Sequence, residues 1–370
     1  MGACAPPSTS TTTARTLVGT SLPLKESFPA RNSSVHEGQV LGLIMVLAGG
    51  VCQGSFMLPM KWTRTWQWEN TWLVFACTAY LIAPWALVMA GIPHAFHILA
   101  SVSPRTLLIV FLFGLGWGIG ALTFGLGVTA VGMSLGFTVI LGLTAVVGTL
   151  IPMFYVGHSL SFEKIAATAF SLALMLVGVA VCSWAGKWKE QGPEQGLTVS
   201  YTRGLAVCVV SGILSACGNL GFVYGSGIIV RAENQGVPAA LAPNLVWALL
   251  TVALFLCNAG YAGRLLRRNR SFANFRNTRT KRYFVFGGLM GALWIAGFVF
   301  YGVGARELGD LGASLGWAML MGSMVLVANL LGLLTGEWRG APDSAMLLLR
   351  WGIGLLLVAI VGLGFSYSFR

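Results

Sequence analysis

Residues 105–156 read RTLLIVFLFGLGWGIGALTFGLGVTAVGMSLGFTVILGLTAVVGTLIPMFYV, and no charged residue follows Arg105 within this stretch. About 20 mainly apolar residues are enough to cross the hydrocarbon of a bilayer, so the stretch is too long for one span. A turn near Gly132 divides it into the runs 105–129 and 132–156. Hydrocarbon offers no water to bond backbone N–H and C=O groups, so each run must be helical. The stretch predicts two consecutive membrane-spanning helices.

The rest of the chain repeats this pattern. Further apolar runs of similar length fall at about 39–60, 70–92, 163–185, 203–225, 239–261, 282–303, 311–335 and 346–368. Of the 370 residues, 56% are hydrophobic and only 9% are charged, whereas a soluble domain carries roughly 25% charged residues. We therefore predict an all-α, polytopic membrane protein with ten transmembrane helices and no soluble domain.

The chain divides into four segments by composition. Residues 1–37 are rich in Ser, Thr, Pro and Ala and lack the apolar core of a signal peptide, which predicts a disordered tail. We expect one five-helix half at 38–186, a polar linker at 187–202 and a second five-helix half at 203–370.

The distribution of positive charge predicts the orientation in the membrane. The net charge is +12, and the positive residues lie in short connections, a pattern typical of membrane topology and not of nucleic-acid binding. The connection 264–282 holds Arg264, Arg267, Arg268, Arg270, Arg276, Arg279, Lys281 and Arg282 and no acid. We expect this connection to be cytoplasmic, in the plasma (inner) membrane, with both termini outside.

The two halves share a weak internal repeat. Trp117, Phe124, Gly127 and Ser134-Leu135-Gly136 recur in order as Trp294, Tyr301, Gly304 and Ser314-Leu315-Gly316. The segment from Gly49 to Phe56 also recurs, more loosely, from Gly218 to Phe222. Two copies of five spans insert with opposite orientation, and such inverted repeats hold a solute site at the midplane of many transporters. The alternative is that glycine-rich membrane helices resemble one another by composition.

Motifs for enzymatic chemistry are absent from the sequence. It contains no nucleophile elbow, phosphate loop or zinc-type His/Glu pattern. The seven cysteines show neither metal-site nor redox-motif spacing. We therefore expect no enzyme activity, no metal site, no cofactor and no nucleic-acid partner.

Uncharged polar and aromatic residues within the spans are the candidates for contact with a solute. They are Gln53, Trp117, Thr123, Asn219, Asn244, Trp294, Tyr301 and Trp317. Amides exchange hydrogen bonds with hydroxyl groups, and aromatic faces suit the apolar C–H face of a sugar. This lining favours an uncharged, polyhydroxylated solute over an ion. The alternative for each residue is that it ties helices together or lies in an interfacial belt.

The interiors of the spans are almost free of ionisable residues, and the nearest acids lie at span ends. Proton coupling generally needs a titratable group whose pKa the protein can shift, and Glu69 and Glu337 are the candidates for that role. Lys61 is a positive charge at a helix end. The alternative is that each carboxylate anchors a helix end at the interface.

Several of these segments together resemble one transporter family. The segments are Pro59-Met60-Lys61, Trp66-Gln67-Trp68-Glu69-Asn70-Thr71-Trp72, Pro84-Trp85, 111–120, Gly132-Met133-Ser134 and Val147-Gly148-Thr149-Leu150, with Trp294, Phe300-Tyr301, Gly304, Trp317 and Glu337-Trp338 in the second half. Over about residues 40–368 the chain resembles the L-rhamnose–proton symporter family of the drug/metabolite transporter superfamily.

The resemblance implies ten helices in two inverted five-helix repeats, and import of a deoxyhexose, L-rhamnose, with protons as the coupling ion. Two features depart from the family pattern: the long N-terminal tail, and a second half with Asn219 in span six and Asn329 in span nine. The alternative function is an exporter or exchanger of another sugar or small metabolite on the same fold, without proton coupling. A membrane-embedded enzyme or a scaffold is a less favoured class.

Overall fold

The computed structural model describes residues 35–156, 161–189 and 201–367, which form helices and contain no strand. Ten helical segments are long and apolar enough to cross a membrane, as predicted. Numbered spans 1 to 10, they are Glu37–Trp62, Trp68–Gly91, Pro104–Val131, Leu135–Phe154, Phe162–Lys189, Thr202–Asn234, Pro243–Arg268, Arg282–Glu307, Gly309–Leu334 and Asp343–Ser366. Short helices Ala95–Ala100 and Ser271–Arg276 lie in the connections.

Helix extends into two of the predicted segments, the N-terminal tail and the linker. The first helix begins at Val35, and residues 1–34 of the predicted tail lie outside the described part of the chain. Helix continues through Lys189 and begins again at Tyr201, inside the predicted linker at 187–202, and residues 190–200 lie outside the described part of the chain. Span 6 is longer than predicted, and its helix is interrupted at Gly225, between Tyr201–Tyr224 and Ser226–Asn234.

The spans pack in pairs that correspond between the two halves. Span 3 packs on spans 6 and 7, and span 8 packs on spans 1 and 2. Span 4 packs on span 6, and span 9 packs on span 1. Spans 5 and 10, spans 4 and 9, and spans 2 and 7 meet each other. Exchanging span n with span n + 5 turns each of these pairings into another of them or into itself.

Span 2 changes helix type in its middle. An α-helix, Trp68–Ala76, leads into a π-helical turn, Cys77–Ile82, followed by the α-helix Ala83–Gly91. Pro84 has no N–H to donate, and the N–H of Ala83 reaches back to the Thr78 carbonyl in the wider π pattern. Single π-helical turns inside α-helices are frequent at functional sites. This turn holds the Tyr80 side chain in the interior of the bundle.

Glycines bring span 3 against its neighbours. A Cβ added at Gly114 would collide with the backbone carbonyl of Leu250 and lie 2.9 Å from the Ala253 Cβ. A Cβ at Gly125, on the same helix, would meet nothing within 4 Å. Small residues at helix interfaces allow this close backbone approach.

We therefore expect Gly114→Ala to destabilise the fold by about 1–3 kcal/mol, the usual range for overpacking. The backbone of span 7 cannot rotate away as a side chain could. Gly125→Ala is the matched control and should be neutral or slightly stabilising, because alanine favours helix over glycine. Thermal denaturation of the purified protein in detergent measures both variants, and equal melting temperatures would contradict the close packing of spans 3 and 7.

The two ends of the bundle differ in charge. The end that carries Lys61, Lys189 and the connection 264–282 is called here the basic end. At the opposite end Arg306 forms an ion pair with Glu233, with its Nε 2.8 Å from Oε1, and both side chains are largely buried. This pair joins spans 6 and 8 where they end.

Candidate solute-binding site

A cavity of about 590 Å³ lies inside the half of the bundle that leads to the basic end. Small-molecule sites generally measure about 300–1,000 Å³. Spans 1 to 9 all contribute to its lining. Its deep part is formed by residues near the middle of the spans, including Tyr80 and Trp294, and its mouth by Lys189, Glu337 and Trp338 at the basic end. The cavity therefore leads from the centre of the bundle to one face of the protein.

The deep part of the cavity is closed by an aromatic floor, which consists of Tyr80, Trp117, Trp294, Phe298 and Trp317. Trp294 is its centre: its ring centroid lies 4.8 Å from that of Tyr80, 5.5 Å from Trp117 and 4.5 Å from Phe298. Trp317 continues the floor, 6.5 Å from Phe298. These separations are typical of packed aromatic pairs. The floor presents rigid apolar surface to whatever enters the cavity.

Polar atoms on this floor are free to bind a solute. Within the described residues, the Tyr80 hydroxyl and the indole N–H groups of Trp117 and Trp294 have no hydrogen-bond partner. Trp317 differs, because its indole N–H donates to the Thr144 carbonyl at 3.0 Å. Buried hydroxyl and indole groups usually find a partner. A solute or water in the cavity would supply one.

Gln53 is oriented by the backbone of the neighbouring span. Its Nε2 donates to the Trp294 carbonyl at 2.7 Å, and only 4% of the residue is exposed. With the amide nitrogen bonded to that carbonyl, Oε1 remains as an acceptor in a residue that lines the cavity. Span 1 therefore adds a hydrogen-bond acceptor to the donors of the aromatic floor.

A short turn at the end of span 9 positions Glu337, the one acidic residue of the described cavity lining. Gly336 has a φ of +77°, a left-handed conformation that ends the helix. The Glu337 N–H then donates to the Gly332 carbonyl at 2.9 Å. This turn sets the Glu337 carboxylate at the mouth, where it forms an ion pair with Lys61.

The mouth is charged but open to water. Lys61 also donates to the Thr335 hydroxyl at 2.8 Å. The side chains of Lys61 and Glu337 are 41% and 43% exposed, respectively, so the pair is a weak contact that water and salt can screen. Lys189 lies over the ring of Trp338, with its Nζ 5.0 Å from the centroid, and both residues line the mouth.

The structure places some of the candidate residues in the cavity lining and the others elsewhere. Gln53, Trp117, Trp294, Trp317 and Glu337 line the cavity together, and Lys61 pairs with the last of them. Four other candidates for solute contact, together with Glu69, lie elsewhere. Thr123 donates within its own helix, Asn244 is buried in the first turn of span 7, and Asn219 and Tyr301 form a separate buried cluster.

Glu69 is buried away from the cavity, at the start of span 2. Its Oε1 accepts hydrogen bonds from the Ser271 hydroxyl at 2.6 Å and from the Asn269 side chain at 2.9 Å. Both donors belong to the connection after span 7. The carboxylate thereby ties span 2 to that connection, which matches the alternative role of a helix anchor.

Several polar residues that line the cavity are not among the candidates predicted from the sequence. They are Tyr80, Thr144, Ser183, Lys189 and Ser215, and Asn329 also lines the cavity. Tyr80 lies one helical turn before Pro84. A tyrosine hydroxyl close to a proline inside an apolar span is the pattern that could have indicated that Tyr80 lines the cavity. Serine and threonine are common in membrane helix interfaces, so their type alone does not separate cavity from contact.

Comparison with known proteins identifies the family of the chain. The family model described as L-rhamnose-proton symport protein (RhaT) matches residues 35–367. The chain is 28% identical over 349 residues to the L-rhamnose-proton symporter of Yersinia pestis (strain Pestoides F), covering 88% of this chain and 98% of that relative. The L-rhamnose-proton symporter of Yersinia pseudotuberculosis serotype O:1b (strain IP 31758) gives the same values. The chain therefore belongs to the L-rhamnose-proton symport protein family.

Proposed function

We propose that this integral, multi-pass membrane protein imports L-rhamnose in symport with protons. The observation that carries the proposal is the cavity, whose aromatic floor holds free hydrogen-bond donors inside a chain of this family. Charged side chains stand only at its mouth among the described lining residues. A deep site without charge suits a neutral solute, and the mixture of ring faces and donors suits a sugar with an apolar methyl group and several hydroxyls.

We propose that the two halves, 38–186 and 203–370, are inverted repeats that move against each other. The exchange of packing partners between spans n and n + 5 supports this. In repeat-built transporters, alternating access comes largely from rocking of one repeat against the other around a midplane site. A cavity that leads to one end, with Asn219 and Tyr301 fully buried toward the other, is what one of the two states requires.

The distribution of positive charge indicates how the protein is oriented in the membrane. Positive residues in short connections face the cytoplasm, so we propose that the basic end is cytoplasmic, that both termini lie outside and that the membrane is the plasma (inner) membrane. The cavity then opens to the cytoplasm, and the conformation is the one that releases an imported solute.

For the coupling proton we propose Glu337. It is the acid of the described lining, and it is held by Lys61 across spans 1 and 9. Protonation would neutralise the carboxylate and release Lys61, which would allow the mouth to rearrange. Glu69 is the second candidate, although its hydrogen bonds lie outside the cavity. The proton is the only coupling ion in this scheme, which needs no metal or other cofactor.

Counterflow of radiolabelled L-rhamnose into proteoliposomes tests the function, with protein-free liposomes as the control. We expect exchange of the labelled sugar above the control. We also expect net accumulation of the sugar when the solution is acidified on the membrane face opposite the basic end. A protonophore should remove the accumulation and leave the exchange. Exchange without any response to pH would favour the uncoupled exchanger, and the absence of exchange would reject L-rhamnose as the solute.

A further inference from the structure

A second group of polar side chains is buried between the cavity and the opposite end. Asn219 of span 6 and Tyr301 of span 8 are both fully buried. The Asn219 Nδ2 donates to the Gly148 carbonyl at 2.7 Å and to the Ala313 carbonyl at 2.8 Å. The Tyr301 hydroxyl lies 2.6 Å from the Asn219 Oδ1 and 2.9 Å from the Ala313 carbonyl oxygen. These contacts join spans 4, 6, 8 and 9 at one point, called here the opposite-end cluster.

Polar atoms without partners belong to residues that adjoin this cluster in the chain or pack against it. The Thr149 hydroxyl, the Ser314 hydroxyl and the Trp247 indole N–H are fully enclosed and make no hydrogen bond within the described residues. Thr149 follows Gly148 and Ser314 follows Ala313 in the chain, and the Trp247 ring lies 6.0 Å from that of Tyr301. An enclosed polar group without a partner is costly and uncommon. Three of them around one cluster indicate a place that water or a solute reaches in another conformation.

The internal repeat gives an independent indication. When Phe56 is aligned with Phe222, Gln53 of span 1 corresponds to Asn219 of span 6. Gln53 lines the open cavity and bonds to one neighbouring span, whereas Asn219 bridges to three. The alignment of Ser134-Leu135-Gly136 with Ser314-Leu315-Gly316 likewise pairs enclosed Thr149 with Asn329, which lines the cavity.

We infer that the opposite-end cluster is the second half of the solute path, closed in this conformation, and that the Tyr301–Asn219 hydrogen bond is the latch that closes it. The inference rests on the proposed transport of a sugar and adds to it the residues of the other state. When the latch opens, the Thr149, Ser314 and Trp247 groups gain water or the hydroxyls of the sugar as partners. Their lack of partners in the closed state makes that state less stable and keeps the two states close in free energy.

Hydrogen exchange of the full chain in lipid nanodiscs tests this. Tyr301→Phe removes the latch hydroxyl and keeps the ring. We expect amide exchange to rise about three- to tenfold near 145–153 and 309–318, the population change that one lost hydrogen bond produces. Exchange near 50–57 and 325–333 should fall at the same time, because the cavity closes as the opposite end opens. Tyr261→Phe, which removes a hydroxyl from a side chain exposed at the other end of span 7, is the control and should change neither.

The reciprocal change separates a latch from ordinary packing. A variant that merely loosens the bundle would raise exchange at both ends, and that result would overturn the inference, as would no change at all. Thr149→Val is a second variant that decides the question if Tyr301→Phe does not fold. It replaces an unpartnered hydroxyl with a methyl group, so it should lower exchange at the opposite end and slow transport, and unchanged exchange would contradict the inference. Counterflow of L-rhamnose by the unmodified protein, in liposomes made of the same lipids, tests the identity of the solute separately.

Discussion

Replacing Glu337 with glutamine is expected to abolish accumulation of L-rhamnose driven by a pH gradient and to leave exchange of the sugar largely intact. The amide keeps the size of the side chain but can neither take up a proton nor form an ion pair with Lys61. A difference of one pH unit corresponds to about 1.4 kcal/mol, or about tenfold accumulation if one proton moves with each sugar. The variant should lose that factor entirely. Uptake into proteoliposomes with and without an imposed gradient measures it.

Glu69→Gln is the matched control for this experiment. Its Oε1 accepts hydrogen bonds from Ser271 and Asn269, and the amide oxygen of glutamine can accept the same two. We expect coupling to persist, with some loss of thermal stability because hydrogen bonds to a charged acceptor are the stronger ones. If Glu69→Gln loses accumulation and Glu337→Gln keeps it, the proton site lies at the start of span 2 and the proposal for Glu337 is wrong.

The ten-helix fold could be predicted directly from the hydropathy of the sequence. Ten apolar runs gave ten spans, because in a bilayer the length of an apolar run and the need to satisfy the backbone internally leave few alternatives. Local changes within a span were harder to predict. The π-helical turn before Pro84 lies inside an apolar run, and the helix Ser226–Asn234 continues span 6 beyond Gly225, where the predicted run ended. Each depends on how one turn of helix packs, which hydropathy averages over.

The site was predictable in its residue types and less so in their partners. The sequence indicates that Trp294 and Asn219 are polar or aromatic groups at depth, but a helix places such a group against another helix or beside a cavity according to its rotation. Trp294 lines the cavity, whereas the hydrogen bonds of Asn219 join four spans. Tyr80 was missed because a single tyrosine in an apolar run is typical of interfacial belts as well as of binding sites.

Trp294→Ala is expected to reduce equilibrium binding of L-rhamnose by more than about tenfold, because a buried aromatic anchor at the centre of a site typically contributes 2 kcal/mol or more. Trp294 contacts Tyr80, Trp117 and Phe298, so its loss also removes the support of the rest of the floor. Trp351→Ala is the control. That residue lies on span 10, is 65% exposed and is not part of the cavity lining, so binding should be unchanged. Direct binding of the labelled sugar to detergent-solubilised protein measures both variants.

A phenylalanine at the same position separates the ring from its N–H group. Trp→Ala in a packed interior can lower stability by about 3–5 kcal/mol, so weak binding by that variant could reflect a damaged fold. Trp294→Phe keeps an aromatic face against Tyr80 and Phe298 and removes the free indole donor. If that donor bonds a sugar hydroxyl, affinity should fall by about two- to tenfold, the usual effect of one hydrogen bond, while the melting temperature stays close to that of the unmodified protein. Unchanged affinity would mean that Trp294 contributes only its ring, and the hydroxyls of the sugar would then depend on Tyr80, Trp117 and Gln53 for their partners.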